Sequence, residues 1–239
     1  MDPHSQADAI LAQAQVFGAS LAGIADVASL KASPSFEIYD KLSRYGGDER
    51  GVWPAHAGSV LVLALVHDPS EPRLDWWGQM VGGTWGNRAL MRVSKRLARW
   101  AKQEWGIGAR PLPYGVEQGG VFLKDAAALA GLGIIGKNNL LVTPEFGPRV
   151  RLRALFLGVA LTPGGPIDFD PCKGCDMPCW RACPKHAFRD GSYHRPLCRE
   201  QMNEDQANRT LVEDWADGAP AQVVQYCRAC ELACPVARS

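Results

Sequence analysis

The chain has 239 residues, 46% of them hydrophobic, with 26 Lys and Arg set against 25 Asp and Glu. That length suits one α/β domain with a small appendage and a buried core, and the near balance of charge excludes a global basic field, leaving room only for a local patch. The longest uncharged apolar run, Val60 to Val66, is far short of the roughly 20 residues a membrane span needs. The opening MDPHSQADAILAQAQ puts acids and a His where a signal peptide has a basic and then an apolar region, so the expected location is the cytoplasm, with no membrane partner.

In chain order, SQADAILAQAQVFGAS carries apolar residues at helical spacing and SVLVLALVHD is a strand by its β-branched run. WGNRALMRVSKRLARWAKQEWG places Leu90, Val93, Leu97 and Trp100 on one helical face, with basic residues elsewhere. Trp53, Trp76, Trp77 and Trp85 bracket a Gly- and Pro-rich segment, where they either cover a pocket or pack. VFLKDAAALA reads as a helix, and NNLLVT and VRLRALFLGVAL as strands joined by the turn PEFGP. This alternation predicts an α/β domain with a mixed sheet.

Between the third helix and those strands lies AGLGIIGKNNLL, with Gly131, Gly133 and Gly136 at the G-x-G-x-x-G spacing and Gly131 to Lys137 at the G-x-x-x-x-G-K spacing. Neither nucleotide reading survives its context. Such loops follow a strand and open a helix, whereas these glycines close a helix, and Asn138 stands where a magnesium-binding hydroxyl belongs. A helix cap explains one glycine. Three glycines with Lys137, Asn138 and Asn139 predict a loop whose backbone lies against a large flat ligand, its amides and Lys137 supplying donors.

Cysteine is absent from residues 1–171, and all eight fall between Cys172 and Cys234, with the linker LTPGGPIDFDP at the step. The predicted organisation is an α/β domain over 1–162 and a cysteine-bearing domain over 163–239, the latter with only short helices, after Cys179 and around Leu211 to Trp215. In a reducing compartment these thiols are ligands and not disulfides. The runs are Cys172-x2-Cys175-x3-Cys179-x3-Cys183-Pro184 and Cys227-x2-Cys230-x3-Cys234-Pro235, with Cys198 between them. Zinc also takes paired C-x2-C, but the crowded later cysteines and the proline closing each run are features of two-cluster ferredoxins, where a run's fourth cysteine serves the other cluster. By that rule Cys172, Cys175 and Cys179 take Cys234, while Cys227 and Cys230 take Cys183 and Cys198, giving two 4Fe-4S clusters. His186 and His194 are read as surface residues.

Taken together, the glycine stretch with its Pro-Glu-Phe-Gly turn, CKGCDMPCWRACP, a lone cysteine and CRACELACP resemble the epoxyqueuosine reductase family, which is related to corrinoid-processing proteins and reductive dehalogenases. The resemblance covers most of residues 55–239. It implies a corrinoid-binding, nitroreductase-like α/β core with a C-terminal bicluster ferredoxin-like domain. It identifies the flat ligand as base-off cobalamin, held by Lys124, Asp125, Gly131, Gly133, Gly136, Lys137, Asn138 and Asn139. The family's proton donor, an Asp about fourteen residues before these glycines, aligns with Glu117, one methylene longer. The implied activity is a cytoplasmic oxidoreductase in which an external low-potential donor, flavodoxin or ferredoxin-like, feeds the clusters and then cobalamin to reduce an epoxide or similar substrate. The chain ends five residues after Cys234, where family members carry a helical domain that helps hold tRNA, so tRNA stands open as a partner. Two other functions fit the same residues: a corrinoid reductase or trafficking protein, and a plain electron-transfer module.

Overall fold

The computed structural model describes residues 2–36, 53, 56–216 and 218–237, without the side chains of Glu117 and Ala216. In chain order its elements are α1 (Pro3–Val16), β1 (Leu21–Asp26), α2 (Val27–Lys31), β2 (Ser59–Val66), α3 (Trp85–Trp105), β3 (Ala109–Pro111) and α4 (Leu123–Leu129). There follow β4 (Ile134–Ile135), β5 (Leu141–Val142), β6 (Val150–Leu157), α5 (Pro178–Arg181), α6 (Arg195–Ala207), β7 (Thr210–Ala216), β8 (Ala219–Val223) and α7 (Ala229–Leu232). The chain forms two compact units, each drawn from three stretches. The first takes Met1–Leu65, Ala89–Ile134 and Leu152–Phe169; the second takes Val66–Arg88, Ile135–Arg151 and Asp170–Ser239.

The first unit is built on a sheet of order β1-β2-β6-β3. Residues 59–64 of β2 are buried without alternation, as expected of a central strand covered on both faces. Asp2 starts α1 by accepting the N–H groups of His4 and Ser5, with Pro3 at the first helical position. Ile10 and Ala14 of α1 and Leu90, Val93 and Leu97 of α3 then bury their apolar faces with Leu61, Leu63, Leu155 and Leu157 of the sheet. Trp53 packs on Phe36 and Phe156.

The sheet departs from the mixed arrangement read from the sequence. β1 pairs antiparallel with β2 and β3 with β6. Gly58 N–H reaches Leu157 O while His67 N–H reaches Arg149 O, so β2 and β6 also run in opposite senses. Helix–strand alternation constrains which elements are neighbours but not their direction, and here each strand enters opposite to the one beside it.

α4 ends in a Schellman turn. Gly131 takes a φ of +79°, Leu132 N–H returns to Ala127 O and Gly131 N–H to Ala128 O. The Ala130 carbonyl then sits where a side chain on Gly23 or Gly164 would stand, 2.5 Å from either ideal Cβ.

In the second unit, two expectations fail. α6 runs for 13 residues, so the cysteine-bearing segment holds more than short helices. Leu211 to Trp215 is strand and not helix: β7 pairs antiparallel with β8, around a turn containing Gly218 at φ +75°. The hairpin lets Val212, Trp215 and Val223 close a small core with Trp76, Met80 and Trp85. Local helical spacing could not report that packing. No helix among the described residues is long and apolar enough to cross a membrane.

Candidate functional site

The eight thiols are all free and all lie in the second unit. Cys172, Cys175, Cys179 and Cys234 line one pocket with Val142, Met177 and Val236. Burial and then the neighbouring thiols of Cys234, Cys172 and Cys175 push Cys179 up to about 11. The remaining four are neighbours of one another in the same sense. Burial, followed by Cys227, Cys183 and Cys198, pushes Cys230 up to about 12, and Cys227 rises through burial and the charges of Asp205, Cys183 and Cys198. Such thiols stay protonated in water at neutral pH and ionise only when a metal displaces the proton.

α5 and α7 are short helices that aim these cysteines. Pro178 opens α5 after Met177, which turns into the left-handed region at φ +54°, and Cys179 follows on the buried side. α7 lies between Cys227 and Cys234 and carries Cys230. Backbone donors point at sulfur in both groups: Lys137 N–H to Cys172 Sγ at 3.5 Å, Ala187 N–H to Cys183 Sγ at 3.3 Å and Ala229 N–H to Cys227 Sγ at 3.5 Å. Among the described residues no three His, Cys, Asp or Glu side chains gather closely enough for a single metal ion. Four thiolates in an apolar pocket are the donor set that an iron–sulfur cluster requires, so the residues of the first group fit one on chemistry, and the second group supplies the same four donors. His186 is exposed and His194 bonds Asp190 at 2.7 Å.

The glycine stretch divides between the units. Gly131 faces inward, with the Gly165 carbonyl 2.9 Å from where its Cβ would be, and Gly133 takes a φ of +156°. Gly136 begins a tight turn, its N–H bonded to Leu140 O, and a side chain there would meet Val142 at 2.7 Å and Cys172 Sγ at 3.5 Å. Lys137 accepts the indole N–H of Trp180 on its carbonyl at 2.9 Å. Asn138 is buried and caps Leu140 N–H at 3.2 Å, and Asn139 turns at φ +58°. The turn therefore abuts the Cys172 group, with Lys137 and Ile135 on its exposed side. That exposed side can meet a flat cofactor; Gly131 and Asn138 are already occupied by the protein.

The other predicted residues belong to the first unit. Lys124 is partly buried, which pulls its pKa down against the opposing charge of Asp125. Asp125 is buried and accepts the Ser35 hydroxyl at 2.7 Å, tying α4 to the stretch that follows α2. Glu117 falls in a 3-10 turn, Val116–Gln118, closed by Gly119 at φ +90°; its side chain lies outside the described residues.

Comparison with known proteins gives the frame for this arrangement. No family model matches the chain. A tetrachloroethene reductive dehalogenase from Sulfurospirillum multivorans is 34% identical over 139 residues, 54% of this chain and 26% of that protein. An epoxyqueuosine reductase from Bacillus cereus is 31% identical over 189 residues, 75% of this chain and 48% of that protein. The structure of epoxyqueuosine reductase from Bacillus subtilis superposes with a TM-score of 0.69 at 18% identity, over 98% of this chain and 66% of that one.

The chain is a relative of the epoxyqueuosine reductases.

It spans half or less of the curated relatives it matches. As such a relative it also matches the reductive dehalogenase NpRdhA, with a TM-score of 0.63 at 21% identity over all of this chain and 32% of that one. Sequence reasoning missed one feature of the second unit altogether. His67, fully buried, holds Asp75 through Nδ1 at 2.6 Å, and Asp75 lies 2.7 Å from Arg151 and 2.5 Å from Arg228. Burial lowers the His67 pKa despite Asp75. Burial would raise Asp75, but the bond from His67 and the cations Arg151 and Arg228 outweigh it and hold the carboxyl low. The only local signal was the placing of Arg228 and Glu231 between cysteines.

Proposed function

We propose that the chain is an oxidoreductase of the epoxyqueuosine reductase type. Cys172, Cys175, Cys179 and Cys234 hold one 4Fe-4S cluster, and Cys183, Cys198, Cys227 and Cys230 hold a second. The observation that carries this reading is the sorting of the thiols: each group of four takes members from both cysteine runs, as in two-cluster ferredoxins. The exposed side of the Gly136–Asn139 turn, with Lys137, would meet a cobalamin beside the first group. When bound, that cofactor supplies low-potential reducing chemistry; the protein supplies binding, orientation and proton control. An external low-potential donor reduces the clusters.

Glu117 is the proton donor in this reading. It stands where the family carries an acid, and the Bacillus subtilis enzyme is described with an Asp on a catalytic loop. Removing a general acid lowers rate by about 10² to 10⁴. The test is anaerobic reconstitution with iron and sulfide, then titration with cobalamin, followed by optical and paramagnetic spectra. Two cluster signals and a base-off corrinoid spectrum are expected; zinc in the thiol groups or indifference to corrinoids would sink the reading. Glu117→Gln is expected to retain both spectra and to lose turnover by that factor. Unchanged turnover would remove Glu117 from the mechanism.

α3 favours a substrate carried on RNA over a small organohalide. Six of the chain's 26 Lys and Arg lie in this helix with a single acid, Glu104, so the remainder of the chain is net acidic. Arg92, Lys95, Arg99 and Lys102 are all exposed and recur every three or four residues, a row about 15 Å long on one face. A row of this kind matches a phosphate backbone, which Arg can grip bidentately. An epoxyqueuosine reductase 20% identical to this chain, TM-score 0.67, has been solved with a tRNA-Tyr stem loop. Replacing Arg92, Lys95 and Arg99 with Gln is expected to weaken binding of an RNA stem loop and to flatten the salt dependence by about 0.7–0.9 in log–log slope per residue. An unchanged slope would exclude α3 as the contact.

A further inference from the structure

Four charged side chains of the second unit close into a ring beside the cysteines. Asp75 Oδ1 lies 2.7 Å from Arg151 Nη2, which lies 2.8 Å from Glu231 Oε2; Glu231 Oε1 accepts from Arg228 Nε at 3.0 Å; and Arg228 Nη1 returns to Asp75 Oδ2 at 2.5 Å. Acids and cations alternate, so the ring is neutral overall, and His67 braces it through Asp75. Asp75 and Glu231 are only 11% and 5% exposed. Arg228 is 13% and Arg151 32% exposed, so the ring is largely withdrawn from water on its acidic side. A desolvated ring of this kind seldom adds net stability over apolar packing, and its best-attested use is to fix register.

Here the register is that of the cluster ligands. Each of the three stretches that form the unit contributes: His67 and Asp75 from the first, Arg151 from the second, Arg228 and Glu231 from the third. Arg228 stands between Cys227 and Cys230, and Glu231 between Cys230 and Cys234. Arg228 also donates to His67 O at 3.1 Å, pinning the backbone just after β2 ends. The segment so held gives two thiols to one group and one to the other.

We propose that the Asp75–Arg151–Glu231–Arg228 ring positions residues 227–234 for both clusters at once and sets the charge those clusters experience. This rests on the reading of the thiol groups as cluster sites, and makes Arg228 and Asp75 positioning residues. Arg228→Gln leaves Asp75 and Glu231 sharing one arginine, Arg151, with His67 still bound to Asp75. In the reconstituted full-length chain it is expected to lose iron from both groups together, and the remaining clusters are expected to reduce at a lower midpoint potential, because a nearby positive charge has gone. Asp75→Asn is expected to move the potential upward. The pair Asp75→Asn with Arg228→Gln restores neutrality and should bring iron content and potential back toward the wild type, and Arg228→Lys should stay close to it.

A side chain that only filled space would shift the potentials in one direction and show no rescue, so that pattern overturns the proposal. So would full iron and wild-type potentials in Arg228→Gln. Should Arg228→Gln fail to fold, the sign of the Asp75→Asn shift decides the matter. A wild-type chain that takes up no cluster refutes instead the cluster reading beneath the proposal, and the two failures are told apart by that control.

Discussion

Ser in place of Cys234 is expected to abolish the same cluster as Ser in place of Cys172, although the two lie 62 positions apart in the sequence. Cys234 belongs by sequence to the run that begins at Cys227, and a local pairing of each run with itself would make it a ligand beside Cys227 and Cys230. In the structure it lines the pocket of Cys172, Cys175 and Cys179 instead. Each single variant should therefore bind about half the wild-type iron, one of two clusters being lost. The decisive comparison is between doubles. Cys172→Ser with Cys234→Ser should be no worse than either alone, since both remove one cluster, whereas Cys172→Ser with Cys183→Ser should leave almost none. Such non-additivity is the signature of residues acting in one unit. Iron and sulfide content with low-temperature paramagnetic spectra measure it. If the doubles behave the other way round, each run ligates its own cluster and the crossed assignment is wrong.

What could be read from sequence follows from the range of the interaction that fixes each feature. The apolar face of α3 was legible because Leu90, Val93 and Leu97 repeat within one helix, and they are buried as that spacing requires. The helix before the glycines was legible because glycine at φ +79° is a local requirement of the turn that ends it. The directions of the strands were not, because pairing joins residues such as Leu21 and Ala64 that share no local signal. β7 was misread for the same reason: the partner that makes Leu211 to Trp215 a strand is β8, and the place for Trp215 is made by Trp76 and Trp85 from far earlier in the chain. At the site, the cysteine spacing announced its chemistry, since soft ligands at fixed intervals have few other uses. The ring of Asp75, Arg151, Arg228 and Glu231 is invisible in sequence because its members are ordinary charged residues until three stretches meet. The glycine stretch lies between these cases. Its composition pointed to a close approach, but at Gly131 what approaches is the protein's own backbone, and at Gly136 it is a side of the Cys172 group.

Gly86→Ala, a change of one methyl, is expected to destabilise the second unit by about 1–3 kcal/mol, the range for overpacking a filled interior. A Cβ at Gly86 would stand 2.1 Å from His67 Nε2 and 2.3 Å from its Cε1, with Leu74 O at 3.0 Å. The imidazole cannot retreat. It is 0% exposed, its Nδ1 is bound to Asp75 at 2.6 Å and its backbone N–H to Arg149 O at 2.8 Å. Moving it would disturb the carboxylate that Arg151 and Arg228 share. In a chain of this size each kcal/mol moves Tm by about 2–4 °C, so a calorimetric scan resolves the effect. Gly108→Ala is the matched control: nothing lies within 4 Å of its ideal Cβ, and the substitution should be neutral or add about 0.4–1 kcal/mol by restricting the unfolded chain. The same imidazole sets a pH dependence. Burial depresses its folded pKa, so the unfolded state binds the proton more readily; its contribution is intact above the unfolded value of about 6.5 and declines as pH falls from there toward the folded pKa. In a His67→Ala background both signatures should shrink together, the Gly86→Ala penalty because the clash is gone and the pH slope near 6.5 because the proton site is gone. If Gly86→Ala remains as damaging without the imidazole, the ring is not what fills that space.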